Sequence, residues 1–324
     1  MPQVATDSPS RILPQGCTPF QVILDFDGTI TERDTIDNIG RAVLEWRRSP
    51  EGGGTDVTAE WQRIVDGYIR GLTAYDDSQP SEEQRTTVGQ ELAYLRGRRA
   101  MEEASLRRVR ESHFFTGLAA QEQLYEAGQR DRETKATTIR QGFSEWIKTL
   151  KEDFDPAPSI HIVSVNFSAS YIKGVLQPWL QDISSVIANE VQSDGNISAA
   201  LDCSAQILGK DSSAFTVSED KLAITKHLST KPPGPIRYYF GDSTTDLECL
   251  IEYGGYVLDS EGGGSLVRAL RRLGHRVPHT TECTSTLAGN QICWARNFLE
   301  ILQSRSWAPK HLQAGTVNQT NSSV

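Results

Sequence analysis

VILDFDGTIT, residues 22–31, sets an apolar run against two carboxylates, Asp25 and Asp27, two positions apart. A strand sends alternate side chains to opposite faces, so both acids leave its end on the same side. Like charges that close each resist ionisation beside the other. A bound cation, or a reaction that uses two carboxylates, supplies a reason to keep them together. Gly28 follows, where a residue without Cβ lets the chain turn tightly and bring backbone N–H groups near an anion.

Outward from this stretch, other short apolar runs recur: SIHIVS (159–164), ISSVIAN (183–189), IRYYFG (236–241) and GYVLD (255–259). Helical patterns lie at 168–180, 219–229, 244–253 and 264–273. Strands alternating with helices predict an α/β fold, a Rossmann-like doubly wound parallel sheet covered on both faces. Three strands end in polar clusters, DFDGT, SVNFS and GDSTTD. Ligands of open α/β sheets sit beyond the carboxyl ends of the strands, so these clusters are expected to converge on one pocket.

Between 37 and 138 that rhythm breaks. Trp46, Trp61, Ile64, Val65, Tyr68, Ile69 and Leu72 stand at helical spacing, with more helix around 88–110 and 117–130. The expectation is an inserted all-helical domain with this aromatic stripe as its own core. The full division is an N-terminal arm (1–19), an α/β core (20–36 and 139–305), a helical cap (37–138) and a disordered tail (306–324).

With 324 residues and a net charge of −9, the chain has no global basic field for nucleic acid or an anionic membrane. Its densest basic run, RGRRAMEEASLRRVR (96–110), is interrupted by Glu102 and Glu103 and reads as a solvated helix face. The five cysteines, Cys17, Cys203, Cys249, Cys283 and Cys293, include no CxxC pair. Reduced intracellular thiols are therefore expected. With no apolar stretch of signal-peptide or membrane-spanning length, the reading is a cytoplasmic protein. Oligomeric state is left open.

Phosphoryl transfer through a carboxylate needs a nucleophile, an acid for the leaving oxygen, fixed positive charge and a cation. Asp25 suits the first role and Asp27 the second. Ser164 offers a hydroxyl at the second strand end, a lysine must supply the charge, and Asp242 and Asp246 are hard oxygen ligands of the kind Mg²⁺ prefers.

DFDGT (25–29), Ser164, a later lysine and GDSTTD (241–246) together resemble the four motifs of the haloacid dehalogenase-like phosphatases. The resemblance spans nearly all of 20–260 and is nearest to the phosphoserine-phosphatase-like branch. IRQGFSEWIKTL (139–150) resembles the helix before that branch's second motif, and ANEVQSDGNISAALD (188–202) its strand-plus-hairpin segment. FGDSTTDLECL (240–250) is similar to the fourth motif of members acting on thiamine monophosphate or methionine-salvage phosphates. The resemblance implies a Mg²⁺-dependent hydrolase of a small phosphorylated metabolite, working through an aspartyl-phosphate. Asp25, Asp27, Ser164 and Lys221 would be catalytic, and Gly28, Thr29, Asp34 and Asn166 would meet the substrate. Asp25, the carbonyl of Asp27 and Asp242 would hold the metal, with Asp246 behind. Lys226 and Lys210 are the other lysine candidates; Lys221 stands at the separation from Asp242 that the family uses.

Where the branch reads Ser-Gly-Gly followed by an arginine, this chain has Val165, Asn166 and Ser168 after Ser164, and Asp34 replaces a glutamate. A substrate carboxylate thus loses its arginine partner, which argues against phosphoserine. The competing readings are a catalytically idle binding or scaffolding protein of the same fold, and a phosphotransferase or mutase. Asp27 argues against a dehalogenase, which lacks it.

Overall fold

The apolar runs assemble into a sheet whose side chains are buried on alternate faces. In the computed structural model, which describes residues 20–154, 156–199, 214–228 and 236–307, Val22 and Leu24 join one core cluster with Ile162 and Phe240. Ile23 points the other way, into a second cluster with Val163, Tyr239 and Val257. This is the period-two pattern of a strand covered on both sides. The expected N-terminal arm, Cys17, Cys203, Lys210 and the tail from 308 onward lie outside the described residues.

The strands are β1 (Phe20–Leu24), β2 (Ser159–Val163), β3 (Ser185–Ile187), β4 (Asn189–Val191), β5 (Ile197–Ala199), β6 (Ile236–Gly241), β7 (Gly255–Leu258) and β8 (Ile292–Ala295). Six form one parallel sheet in the order β3-β2-β1-β6-β7-β8. β4 and β5 make a separate antiparallel hairpin. β8 was not among the expected strands. The chain builds outward from β1 on one side, then crosses to β6 and builds outward on the other. The strand ends around β1 are therefore a topological switch point, where such sheets bind ligands.

Between β1 and β2 run α1 (Ile36–Arg48), α2 (Thr58–Asp77), α3 (Val88–Gly97), α4 (Arg99–Glu111) and α5 (Ala120–Glu133). None of them enters the sheet. The chain leaves and returns through paired backbone: Glu32 N donates to Thr138 O at 2.9 Å and Arg140 N to Ile30 O at 2.7 Å. Then come α6 (Phe143–Glu152), α7 (Ala169–Val175), α8 (Ser218–His227), α9 (Leu247–Tyr253), α10 (Ser265–Arg272) and α11 (Phe298–Gln303). Among the described residues no helix is long and apolar enough to cross a membrane.

Two expectations need correction. The aromatic stripe is not a separate core: Trp46 and Trp61 pack against the cluster that holds β1, and Ile69 is 55% exposed. The inserted helices also pack directly on the α/β part, α5 lying against α7. A Cβ at Gly128 would stand 2.3 Å from Tyr171 O, and one at Gly174 would stand 2.0 Å from Tyr125 O. Only paired glycines allow so close a crossing. The second correction is the boundary at 305. Ser306 and Trp307 are buried, and the Trp307 ring lies 5.6 Å from that of Trp146.

Candidate active site

Asp25 leaves β1 while its backbone still follows the ladder, N–H donating to Phe240 O at 2.9 Å. Its side chain is buried. The chain then folds over itself, with the N–H groups of Thr29 and Ile30 both donating to Phe26 O. Gly28 takes a φ of 68°, and a Cβ there would stand 2.1 Å from Asp242 Oδ2. A side chain at 28 would thus drive apart the ends of β1 and β6. Arg140 clamps this loop from behind, through Nε to Thr29 O at 3.0 Å and Nη2 to Gly28 O. Its Nη1 donates to Arg296 O at 2.9 Å, just past β8.

From α8, Lys221 reaches into the site wholly buried, Nζ 2.7 Å from Asp246 Oδ1 and 3.0 Å from Asp25 Oδ1. Burial pushes the ammonium's pKa down, but Asp246 and Asp25 more than reverse that and hold it above the ordinary lysine value. Lys226 lies on the exposed side of the same helix, 3.4 Å from Glu252. Asp246 is saturated by protein donors. Tyr239 Oη donates to Oδ1 at 2.7 Å, and the N–H groups of Asp242 and Ser243 donate to Oδ2, each at 3.1 Å. Asp242 Oδ1 accepts from the Thr29 hydroxyl at 3.0 Å.

Asp27 has its own set of partners. Thr35, which precedes α1, donates to Oδ1 twice, from N at 3.0 Å and from Oγ1 at 2.7 Å. Asn166 Nδ2 donates to Oδ2 at 2.6 Å and to Thr35 Oγ1 at 3.0 Å. Burial, reinforced by the charge of Asp34, pushes Asp27 up to about 7 despite these donors. Burial also raises Asp25 to about 6, against the pull of Lys221. Asp242 rises well above the usual carboxylate range, through burial first and Asp25 next.

The residues fit a hard divalent cation. Carboxylate oxygens of Asp25, Asp242 and Asp246 lie within 4.8 Å of one another, and those of Asp246 are already taken by protein donors, which leaves Asp25 and Asp242 to face an ion. Lys221 is the lysine paired with two of these three acids, so net negative charge is buried there. Asp25 Oδ1 has no aligned hydrogen-bond donor beyond that ion pair. Oxygen donors around uncompensated charge suit Mg²⁺.

Of the residues singled out from sequence, Asp25, Lys221, Asp242 and Asp246 form one connected cluster, with Gly28 and Thr29 against Asp242. Asn166 and Thr29, expected to meet substrate, donate to Asp27 and Asp242. Asp34 is exposed and accepts from Ile36 N at 2.8 Å, at the start of α1. Ser164 is buried just past β2, its hydroxyl accepting from Asn166 N at 3.3 Å. Sequence reading passed over Thr35, Arg140 and Tyr239. A threonine before an amphipathic helix is a visible signal for the first; the other two carry none.

No family model matches the chain. A solved substrate-bound phosphoserine phosphatase aligns at 16% identity and a TM-score of 0.46, covering 88% of this chain and 97% of that one. The cold tolerance protein 1 of Saccharomyces cerevisiae is 24% identical over 251 residues, 71% of this chain and 75% of that protein. A CTO1 family protein of Schizosaccharomyces pombe is 32% identical over 236 residues, 70% of this chain and 77% of that protein. On that likeness, this chain belongs to the CTO1 family.

Proposed function

We propose that this chain is a Mg²⁺-dependent phosphomonoester hydrolase of the haloacid dehalogenase-like type, acting on a small phosphorylated metabolite through an aspartyl-phosphate. One observation carries the reading. Two acids two residues apart are held in separate environments, Asp25 beside buried Lys221 and Asp27 among Thr35 and Asn166. Paired carboxyls kept in different surroundings mark a division into nucleophile and acid/base.

In this scheme Asp25 attacks phosphorus while Asp27 gives its proton to the leaving oxygen. Asp27, now a base, takes a proton from the water that opens the aspartyl-phosphate. Lys221 and the Ser164 hydroxyl hold the phosphoryl oxygens. Asp25, the main-chain carbonyl of Asp27 and Asp242 would hold Mg²⁺, with Asp246 fixing Lys221 and the loop from behind. When bound, the ion supplies the positive charge that lets an anionic carboxylate approach an anionic phosphate. The inserted helices act as the cap over the leaving group.

The test is phosphate release from a panel of small phosphomonoesters with Mg²⁺ present. Excess chelator is expected to abolish release, Mg²⁺ to restore it, and Ca²⁺ to substitute poorly because its larger, looser shell misplaces the attacking carboxylate. Full turnover in excess chelator overturns the metal requirement, and no release from any ester favours the idle binding protein.

A further inference from the structure

Cys283 and Cys293 lie ten positions apart, outside any CxxC spacing, yet their sulfurs stand 2.7 Å apart. That is inside ordinary non-bonded sulfur contact, with both thiols free and a formed bond, at ~2.05 Å, still shorter. Cys293 sits on β8, the last strand of the sheet, and is buried. Cys283 follows a short helical turn, Thr280–Glu282, and is partly exposed. The segment before it runs beside β8: Trp294 N donates to Pro278 O at 2.9 Å, and His279 pairs with Trp294 as an isolated parallel bridge. The two sulfurs therefore face each other between a strap and the sheet edge beside it.

A metal does not explain the pair. The nearby imidazole of His279 has both nitrogens engaged, Nδ1 with Thr281 Oγ1 at 2.7 Å and Nε2 with Glu300 Oε2 at 3.0 Å. Among the described residues, Asp25, Asp242 and Asp246 are the one group arranged to hold an ion, and they lie elsewhere. Two sulfurs without a third ligand do not make a zinc site.

We propose that Cys283 and Cys293 form a reversible disulfide that fastens the 278–283 strap to β8. Glutathione disulfide is the oxidant. The more accessible Cys283 thiolate attacks it, forming a mixed disulfide and releasing one glutathione. The Cys293 thiolate then attacks the Cys283 sulfur and displaces the second glutathione. Two protein thiols and one glutathione disulfide become one protein disulfide and two glutathione thiols, so electrons and protons balance. The bridge closes a short loop, which raises stability modestly.

Full-length protein is incubated with glutathione disulfide, its remaining thiols are alkylated, and its peptides are analysed by mass spectrometry. The wild type is expected to lose two of its five alkylatable thiols. A peptide pair joined through Cys283 and Cys293 should appear, lighter by two hydrogens, and the melting midpoint should rise by a few degrees. Cys249→Ser, altering a buried thiol 3.8 Å from the Thr225 hydroxyl, should keep the cross-link. Cys293→Ser should trap glutathione on Cys283, and Cys283→Ser should leave Cys293 alkylatable only on unfolding. Should either variant fail to fold, the wild-type peptide map decides alone. Full alkylation of both sulfurs after oxidation, glutathione persisting on Cys283 in the wild type, or a bond from either to another cysteine overturns the proposal.

Discussion

Asp25 and Asp27 show how environment separates two identical groups. Lys221 and Asp246 form one side of the site; Thr35 and Asn166 hold Asp27 on their own. Asp25→Asn keeps the shape but removes the anionic nucleophile. Turnover on the best ester is expected to fall by on the order of 10³ or more, with the fold retained. Wild-type turnover in that variant would rule out an aspartyl-phosphate. Lys221→Ala differs in kind, because it leaves Asp25 and Asp246 buried without their cation. It should cost about 3–5 kcal/mol in denaturant unfolding, as for other broken buried pairs. Lys226→Ala, at an exposed pair, should cost no more than about 1 kcal/mol. Equal midpoints for the two variants would mean that the buried ion pairs contribute nothing.

At the scale of elements, the α3–α4 junction rests on the helices that carry the lysine and the last motif. Arg96 grips Glu248 through Nε at 3.1 Å and Nη2 at 2.5 Å, and Arg99 grips Asp220 at 2.7 and 3.2 Å. Asp220 also accepts from Thr216 N and Val217 N at the start of α8, one residue before Lys221. Docking of the inserted helices and placement of the lysine thus share one set of contacts. Together, Arg96→Ala and Arg99→Ala should lower kcat/KM on the order of tenfold through loosened closure, with the Mg²⁺ requirement unchanged. Steady-state kinetics at matched ionic strength decides it; unaltered kcat/KM would show that this junction plays no part in closure. The basic run at 96–110 is largely a solvated face, as its mixed charge suggests; the two partners that Arg96 and Arg99 find, Glu248 and Asp220, lie over a hundred residues away in sequence. The bond from Asn166 to Asp27 was hidden for the same reason, the two lying 139 positions apart. The place of Asn166 after Ser164 in the second motif suggested the substrate, and folding also sets its amide on Asp27.

Across the whole molecule, what was legible followed from local pattern. The strand-end clusters DFDGT and GDSTTD are short and each follows an apolar run, so their meeting through Asp25, Thr29, Asp242 and Asp246 needed only the parallel pairing of β1 with β6. β8 escaped because ICWA is four residues long with no alternation to mark it. Arg140 acts on residues over a hundred positions away, while Tyr239 and the Cys283–Cys293 pair bridge separations of seven and ten that match no motif. The boundary at 305 failed because a polar stretch hides one anchoring ring. Trp307 lies against Trp146, Tyr238, Phe240 and Tyr256, with ring centroids 5.6–5.9 Å apart. Ser306 adds its carbonyl, which accepts from Leu287 N at 2.9 Å. Phe240 and Tyr256 belong to β6 and β7, so this ring closes the face of the sheet beneath the site. Removing it should leave a cavity that rigid neighbours cannot fill, and Trp307→Ala is expected to cost about 3–5 kcal/mol. Ile69→Ala, at a position 55% exposed, should stay within about 0.5 kcal/mol. Denaturant midpoints of the two variants provide the comparison; a Trp307→Ala midpoint equal to wild type would put the end of the core before residue 306.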